Sequence, residues 1–273
     1  MIDLQFDFND LLDISVEAGD LILSFYHNDN FNTSVKHDST LVTTADIKTN
    51  SFLKKALLDL CPTYGFLSEE NNPDYNFFSE PANYEFYWVV DPLDGTLDFI
   101  NKTDDFSVSI ALMSHNRIIL GLVYIPCAEI CYYAVTGLGA FKQYKNLSKQ
   151  KLLVKNDFNG TDISLLSGRR SGFDLYKNYL SDAYNYEVIT CGSCSIKCCL
   201  VADQTADIYM SLGSTAVWDL AAAHCILLES KAHVYDFELS EVAYDVSHRI
   251  INPKFIATNL PLDKLRNLLR QLH

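Results

Sequence analysis

Positive charge is scarce in this chain. Its 273 residues carry 21 Lys and Arg against 35 Asp and Glu, a formal net charge of −14. A surface of that balance repels a phosphate backbone, so DNA and RNA are excluded as bulk electrostatic partners. A small anion is not excluded, because a carboxylate cluster filled by metal ions inverts the local sign. Long apolar runs are also missing. The longest, around Ile118 to Val135, contains Pro126 and Glu129 and alternates like a hairpin, so no segment reads as a membrane span. The opening Met1-Ile-Asp-Leu-Gln-Phe-Asp7 has neither the basic start nor the apolar core of a signal peptide. A cytoplasmic protein is expected, with peripheral association at the inner membrane left open. Internal repeats and low-complexity segments are absent.

What is present is an ordinary globular composition, 48% hydrophobic and 21% charged, long enough for one large core or two modest ones. There are eight cysteines, with Cys191-Gly-Ser-Cys194 followed closely by Cys198-Cys199. Zinc binding or redox chemistry is the sharp reading of that cluster. The spacing, however, does not supply two separated ligand pairs, and reduced cysteine also packs as a small buried hydrophobe. The second reading is the one we carry forward.

Leu11, Ile14, Ala18, Leu21 and Phe25 recur at helical spacing, which predicts an amphipathic helix over about 8–27. Thr43-Thr44-Ala-Asp46 reads as a capped helix start, leading a helix that stops before Pro62. The acidic, aromatic stretch Asn71 to Glu85 reads as a loop whose position suits a lid. Strands are expected at Tyr87 to Val90, Phe106 to Met113, Ile118 to Tyr124 and Ile130 to Val135, with Gly137-Leu-Gly139 closing this half. The polar stretch Gln143 to Gln150 is the best divide, giving an N-terminal half over residues 1–145 and a C-terminal half over residues 146–273. In the C-terminal half strands are expected at Ile163 to Ser167, Glu187 to Thr190, Asp207 to Met210 and around His233 and Phe255. Helices are expected near Leu175 to Tyr184, at Ser195 to Val201 and from Trp218. Antiparallel strands followed by alternating units predict an α+β protein.

The chemistry concentrates in Trp88-Val-Val-Asp91-Pro92-Leu93-Asp94-Gly95-Thr96. Proline fixes φ and lacks an N–H, so the strand is expected to end at Pro92. Gly95 permits a sharp turn or close approach to a ligand. Asp91 and Asp94 can then converge, with the Leu93 carbonyl and the Thr96 hydroxyl facing the same point. Clustered hard oxygens suit a hard divalent cation, above all magnesium. Two further pieces carry acids beside an element end: Gly65-Phe-Leu-Ser-Glu69-Glu70, and Val217-Trp218-Asp219 opening an alanine-rich helix. Taken singly, each has a plain structural reading, as a solvated turn or a helix cap. Their joint occurrence points to a site.

In this order and with these residue types, the chain resembles the lithium-sensitive, magnesium-dependent phosphatase superfamily that includes the inositol monophosphatases. The match runs from Thr43-Thr-Ala-Asp46 to Asn252-Pro253-Lys-Phe255. The resemblance implies a layered αβαβα sugar-phosphatase fold and at least two magnesium ions. It implies Glu69, Asp91, the Leu93 carbonyl, Asp94 and Asp219 as metal ligands, and Asp46, Glu70 and Thr96 as catalytic residues that orient the attacking water. Two metals about 3.5–4 Å apart clamp a phosphate and stabilise the leaving oxygen. The substrate would lie against Glu69, Leu93, Asp94, Gly95, Thr96 and Asp219, with Gly95 and Thr96 N–H groups on phosphate oxygens.

Within the superfamily, Leu97-Asp98-Phe99-Ile100 and Phe106-Ser-Val-Ser-Ile110-Ala-Leu are similar to the 3′(2′),5′-bisphosphate nucleotidase branch, as are Ser195-Ile-Lys197-Cys-Cys199-Leu-Val-Ala202 and Leu120-Gly-Leu-Val-Tyr124-x-Pro126. Inositol monophosphatases typically carry Asn where Asp98 stands. That branch implies adenosine 3′,5′-bisphosphate as substrate and Lys197 as a contact for the second phosphate. Two positions depart from the branch: Ser211-Leu-Gly213-Ser-Thr215 occupies the place of an arginine-containing segment, and Cys194 stands where serine is usual. Arg169 and Arg170 are candidates to replace the arginine. An inositol or other sugar monophosphatase, and a non-catalytic nucleotide- or protein-binding member of the fold, are the alternatives. Either a monomer or a homodimer fits. His224 is expected to pack rather than catalyse, and His248 has no assigned role.

Overall fold

The computed structural model describes residues 4–36, 40–70, 84–144, 148–155, 158, 160–169, 171–244, 250–252 and 254–270. Arg170, His248, Pro253 and residues 71–83 of the expected acidic loop lie outside the described residues.

Helix α1, Phe8–Asn28, buries the periodic face that includes Leu11, Ala18 and Ile22, and Asp7 caps it by accepting from the Asn9 N–H. The short pair β1 (Thr33–Val35) and β2 (Leu41–Thr43) leads into α2, Thr44–Leu60. There Thr43 and Asp46 close a reciprocal capping box, Thr43 Oγ1 accepting from backbone N–H groups while Asp46 Oδ2 accepts the Thr43 N–H at 2.7 Å. Strand β3 (Gly65–Ser68) pairs parallel to β4 (Phe86–Asp94). After α3 (Thr96–Ile100), an antiparallel meander follows: β5 (Ser107–Ser114), β6 (Arg117–Ile125), β7 (Ile130–Val135), β8 (Gly139–Tyr144) and β9 (Gln150–Leu152). Together β3 to β9 make one seven-stranded sheet in sequence order. Its last strand is drawn from beyond the polar stretch around residue 145.

The second sheet has the order β11 (Asn185–Thr190), β10 (Asp162–Ser167), β12 (Ile208–Ser211), β16 (Phe255–Thr258), β14 (His233–Tyr235). Its members β10, β11 and β12 run parallel, while β16 is antiparallel to both β12 and β14. Helix α4 (Cys194–Ala202) precedes β12; β13 (Thr215–Ala216) pairs with β15 (Ile250–Asn252) and opens directly into α5, Val217–Ser230. Helix α6, Leu262–Leu268, ends the described chain.

Burial orders these elements into layers. One core joins α1 and α2 to one face of the first sheet through Leu11, Leu53, Trp88, Val90 and Ile110. A second fills the space between the two sheets around α4 and α5, from Tyr87, Val89 and Val123 to Trp218 and Phe255. A third, with Leu165, Ile208, Ile256 and Leu265, lies under α6 on the outer face of the second sheet. The result is the expected αβαβα stack. Successive residues of β4 belong to opposite cores, which is why its sequence is apolar throughout rather than alternating.

Two expectations fail locally. The helix expected over Leu175 to Tyr184 is absent: a 3₁₀ turn at Phe173–Leu175 is followed by turns, and Tyr176 and Leu180 reach the third core without a helix. Strand β4 does not end at Pro92 but runs on to Asp94. Its pairs Asp91↔Ser109 and Asp94↔Ser107 set three steps against two, so Pro92 and Leu93 sit in a bulge where a missing N–H breaks no ladder bond.

Candidate active site

The bulge is the local device that builds the site. With β4 bent there, Asp91 accepts the Leu93 N–H at 3.0 Å and the Leu93 carbonyl turns toward Thr96, whose hydroxyl lies 3.3 Å from it. Gly95 follows with φ +99°, and a Cβ there would stand 2.7 Å from the Asp105 carbonyl, so no other residue fits this turn. Thr96 opens α3 and donates to Asp46 Oδ1 at 3.0 Å.

Glu69, Asp91, Asp94, Thr96, Asp219 and Lys197 line one cleft of about 660 Å³, with Leu93, Gly95 and Asp98 on the same wall. The expected metal ligands and substrate contacts are therefore brought together. Asp46 stands behind Thr96, buried, its carboxyl raised by burial against the hydrogen bonds of Thr43 and Thr96. Glu70 stands beside Glu69. Burial pushes it up to about 7 despite Lys36, and Glu69 and Asp46 add to the rise.

Each carboxylate is held by a different element. Asp94 accepts from the Ser193 hydroxyl at 2.5 Å and from the Ser195 and Cys194 N–H groups at 2.7 and 3.3 Å, so it caps the first turn of α4 from the other sheet. Asp219, in the first turn of α5, accepts the Ala216 N–H at 2.9 Å. Glu69 accepts from Lys36 Nζ at 2.7 Å, and the same ammonium reaches Glu70 at 2.5 Å. Burial opposes charge on Lys36, but the two glutamates outweigh it and raise its pKa.

Asp91 is only 2% exposed. Burial, then Glu69, Asp94 and Asp219, push its carboxyl well above the ordinary range. Buried oxygen donors that repel one another fit a hard divalent cation, which removes both penalties at once. Among the described residues the side chains do not already enclose an ion-sized point. Asp94 is drawn to α4, Asp219 to its own helix start, and Glu69 to Lys36, the chain's own cation.

Two neighbours, Lys36 and Ser193, escaped the sequence reading. Lys36 is one basic residue in a polar stretch, and nothing in its spacing ties it to Glu69. Ser193 could have been found, because a serine just before a helical run is the ordinary N-cap; it accepts the Ile196 N–H at 3.0 Å. Arg169 bonds Asp98, which lines the cleft, at 3.1 Å and also reaches Asp105. Lys197 is buried at 4% exposure, with Nζ on the Cys191 and Gly192 carbonyls and 4.9 Å from the Tyr209 ring centre. His224 packs in the core, Nδ1 lying 2.8 Å from the Tyr244 hydroxyl. The cysteines are free thiols, with Cys191, Cys198 and Cys199 buried in the middle core.

A layered αβαβα stack in which Glu69 after β3, Asp91 and Asp94 in β4 and Asp219 in α5 line one cleft is the arrangement expected of a metal-dependent sugar phosphatase. The inositol monophosphatase family model matches residues 9–270, and the chain belongs to that family. It is 35% identical over 249 residues to the 3′(2′),5′-bisphosphate nucleotidase CysQ of Haemophilus influenzae, covering 91% of each chain. It is 34% identical over 239 residues to the Escherichia coli CysQ, covering 87% of this chain and 94% of that one. Among solved structures, CysQ of Bacteroides thetaiotaomicron superposes with a TM-score of 0.72 at 27% identity, over 94% of this chain and 98% of that one. An inositol monophosphatase of Staphylococcus aureus shares the fold at a TM-score of 0.76 and 22% identity, over 97% and 94%. Among the described residues no helix is long and apolar enough to cross a membrane.

Proposed function

We propose that the protein hydrolyses the 3′-phosphate of adenosine 3′,5′-bisphosphate, giving AMP and inorganic phosphate. The observation that carries the reading is the convergence of Glu69, Asp91, Asp94, Asp219 and Thr96 on a cleft that also holds the buried Lys197. The similarity to 3′(2′),5′-bisphosphate nucleotidases over nine-tenths of the chain supports a nucleoside bisphosphate as the substrate class. On this reading the enzyme works in the cytoplasm on a diffusible nucleotide.

Glu69, Asp91, the Leu93 carbonyl, Asp94 and Asp219 would hold magnesium, two ions or more. Bound there, magnesium supplies positive charge to the phosphoryl oxygens and makes water more acidic. The protein's own groups do the positioning. Thr96 directs its proton to Asp46 and Leu93, which leaves its oxygen an acceptor toward the cleft, able to orient an attacking water. Glu70, beside Glu69 and held by Lys36, would help orient that water. Lys197 adds a point charge for the phosphate that is not cleaved.

The test is magnesium-dependent phosphate release from adenosine 3′,5′-bisphosphate, AMP and inositol 1-phosphate, each with and without lithium. Preference for the bisphosphate supports the reading. Preference for inositol phosphate replaces it with a sugar phosphatase, and silence on all three leaves a binding role.

A further inference from the structure

We propose that Arg169 receives the uncleaved phosphate of the substrate at the rim of the cleft, and that Asp98 and Asp105 exist to hold it there. The proposal rests on the bisphosphate reading above and goes beyond it by naming a specificity-determining side chain.

The turn that follows β10 projects this arginine. Ser171 N donates to the Gly168 carbonyl at 2.9 Å, and the Ser167 hydroxyl reaches the Ser171 carbonyl at 2.5 Å, closing a tight loop around residue 169. From that loop Arg169 Nε donates to Asp98 Oδ1 at 3.1 Å while Nη2 donates to Asp105 Oδ2. Asp98 is itself fixed, since Thr103 Oγ1 donates to the same oxygen at 2.8 Å. Asp105 is fixed as well: its carboxylate accepts the Gly192 N–H at 3.1 Å and its carbonyl the Ser193 N–H at 3.2 Å.

Those contacts tie the arginine to the cleft wall. Asp98 and Gly192 both line the cleft. They press against each other so closely that a Cβ on Gly192 would lie 2.0 Å from the Asp98 carboxyl carbon, so glycine is required for the acid to sit where it holds Arg169. Beneath the same loop, Lys197 Nζ holds the Cys191 and Gly192 carbonyls. Residues 191–192 therefore lie between two cations, one buried and one at the rim, in a chain whose net charge is −14.

A guanidinium has five N–H donors in a fixed planar fork. The bonds to Asp98 and Asp105 use one on Nε and one on Nη2, and the others have no partner among the described residues, on a side chain 40% exposed. A planar fork with free donors is the geometry that grips a phosphate through two parallel bonds, which lysine cannot do. Its two carboxylate partners are themselves fixed by neutral donors, Thr103 Oγ1 and the Gly192 N–H, so they orient the guanidinium, and what the arginine offers a phosphate is its fork of donors rather than a net positive charge. The acid at position 98 thereby has a physical role: an amide there would hold the guanidinium less firmly.

The experiment compares the enzyme with Arg169→Ala, Arg169→Lys and Asp98→Asn on adenosine 3′,5′-bisphosphate and on 3′-AMP, which offers the same scissile bond and no second phosphate. Thermal unfolding checks that each variant is folded. The expected result is that Arg169→Ala loses at least tenfold more kcat/KM on the bisphosphate than on 3′-AMP, mostly in KM. Arg169→Lys should recover part of the loss, and Asp98→Asn should shift the ratio in the same direction by less. Equal losses on both substrates, or an unchanged ratio, would make Arg169 a structural latch and overturn the proposal. Should the unaltered enzyme itself show no preference for the bisphosphate, the parent reading fails and this one with it, an outcome told apart because it appears before any variant is made.

Discussion

Thr96 and Asp46, fifty residues apart in sequence, meet at 3.0 Å, the hydroxyl of the first donating to the carboxylate of the second. Asp46 also closes the capping box of α2 through Thr43, so one side chain both starts a helix and aims a hydroxyl into the cleft. Because the acid is buried and fixed from two sides, Thr96 has little rotational freedom.

Thr96→Ala should lower kcat by about a hundredfold with a smaller change in KM, the scale expected for losing one positioned proton-transfer group. Asp46→Asn should act in the same direction and also weaken the start of α2. Steady-state kinetics with a melting curve for each variant checks both. A Thr96→Ala enzyme of near-normal kcat would remove this hydroxyl from the reaction.

Asp94→Asn and Asp219→Asn should bring phosphate release to background while the proteins stay folded. Each amide keeps an oxygen acceptor for the helix start that the acid now caps, so the stability cost should be about 1 kcal/mol. Magnesium titration by calorimetry should show weakened binding in both. Retained binding and turnover would sink the assignment of these two acids as ligands.

Lys197→Ala should raise KM for adenosine 3′,5′-bisphosphate far more than for a monophosphate. Its burial adds a second effect, because the Cys191 and Gly192 carbonyls lose their donor, at a cost of about 1–3 kcal/mol. Lys197→Met, which keeps the volume, separates packing from charge. Equal kinetic effects on both substrates would take Lys197 out of the substrate site.

His224 offers a pH test independent of the cleft chemistry. Burial pulls its pKa from 6.5 down to about 4. Above about pH 6.5 the imidazole is neutral in both folded and unfolded chains and contributes nothing to pH dependence. As pH falls from there toward 4, the unfolded chain takes up the proton first, so stability is lost over that window, by up to about 3 kcal/mol. His224→Gln should flatten this section of the curve of Tm against pH relative to the parent. Parallel curves would show that His224 titrates alike in the folded and unfolded chains and would overturn its lowered pKa.

Much of the architecture was legible because it is local. The 3.6-residue period of α1, the Thr43–Asp46 cap of α2 and the paired apolar runs of the first sheet all survive in the structure. The acids Glu69, Asp91, Asp94 and Asp219 were legible as a set because each follows or opens an element whose ends the sequence marks. Two local signals misled. Proline at 92 signals a strand end, but a bulge absorbs its missing N–H and the strand goes on. The residues near 175–184 have helix-compatible spacing, yet Tyr176 and Leu180 reach the core from turns.

By itself, then, the sequence determined most of the elements and marked the oxygen donors at their ends, since these depend on neighbours within a turn of helix or a strand, while the layering came from the family resemblance. Only the tertiary structure decided what each donor meets: Lys36 against Glu69 and Glu70, Ser193 and Ser195 against Asp94, Arg169 against Asp98. Those pairs join residues 33 to 101 positions apart. No periodicity encodes them, because they arise from the energy of burying charges beside one another, which exists only once the two sheets have closed on their shared helices.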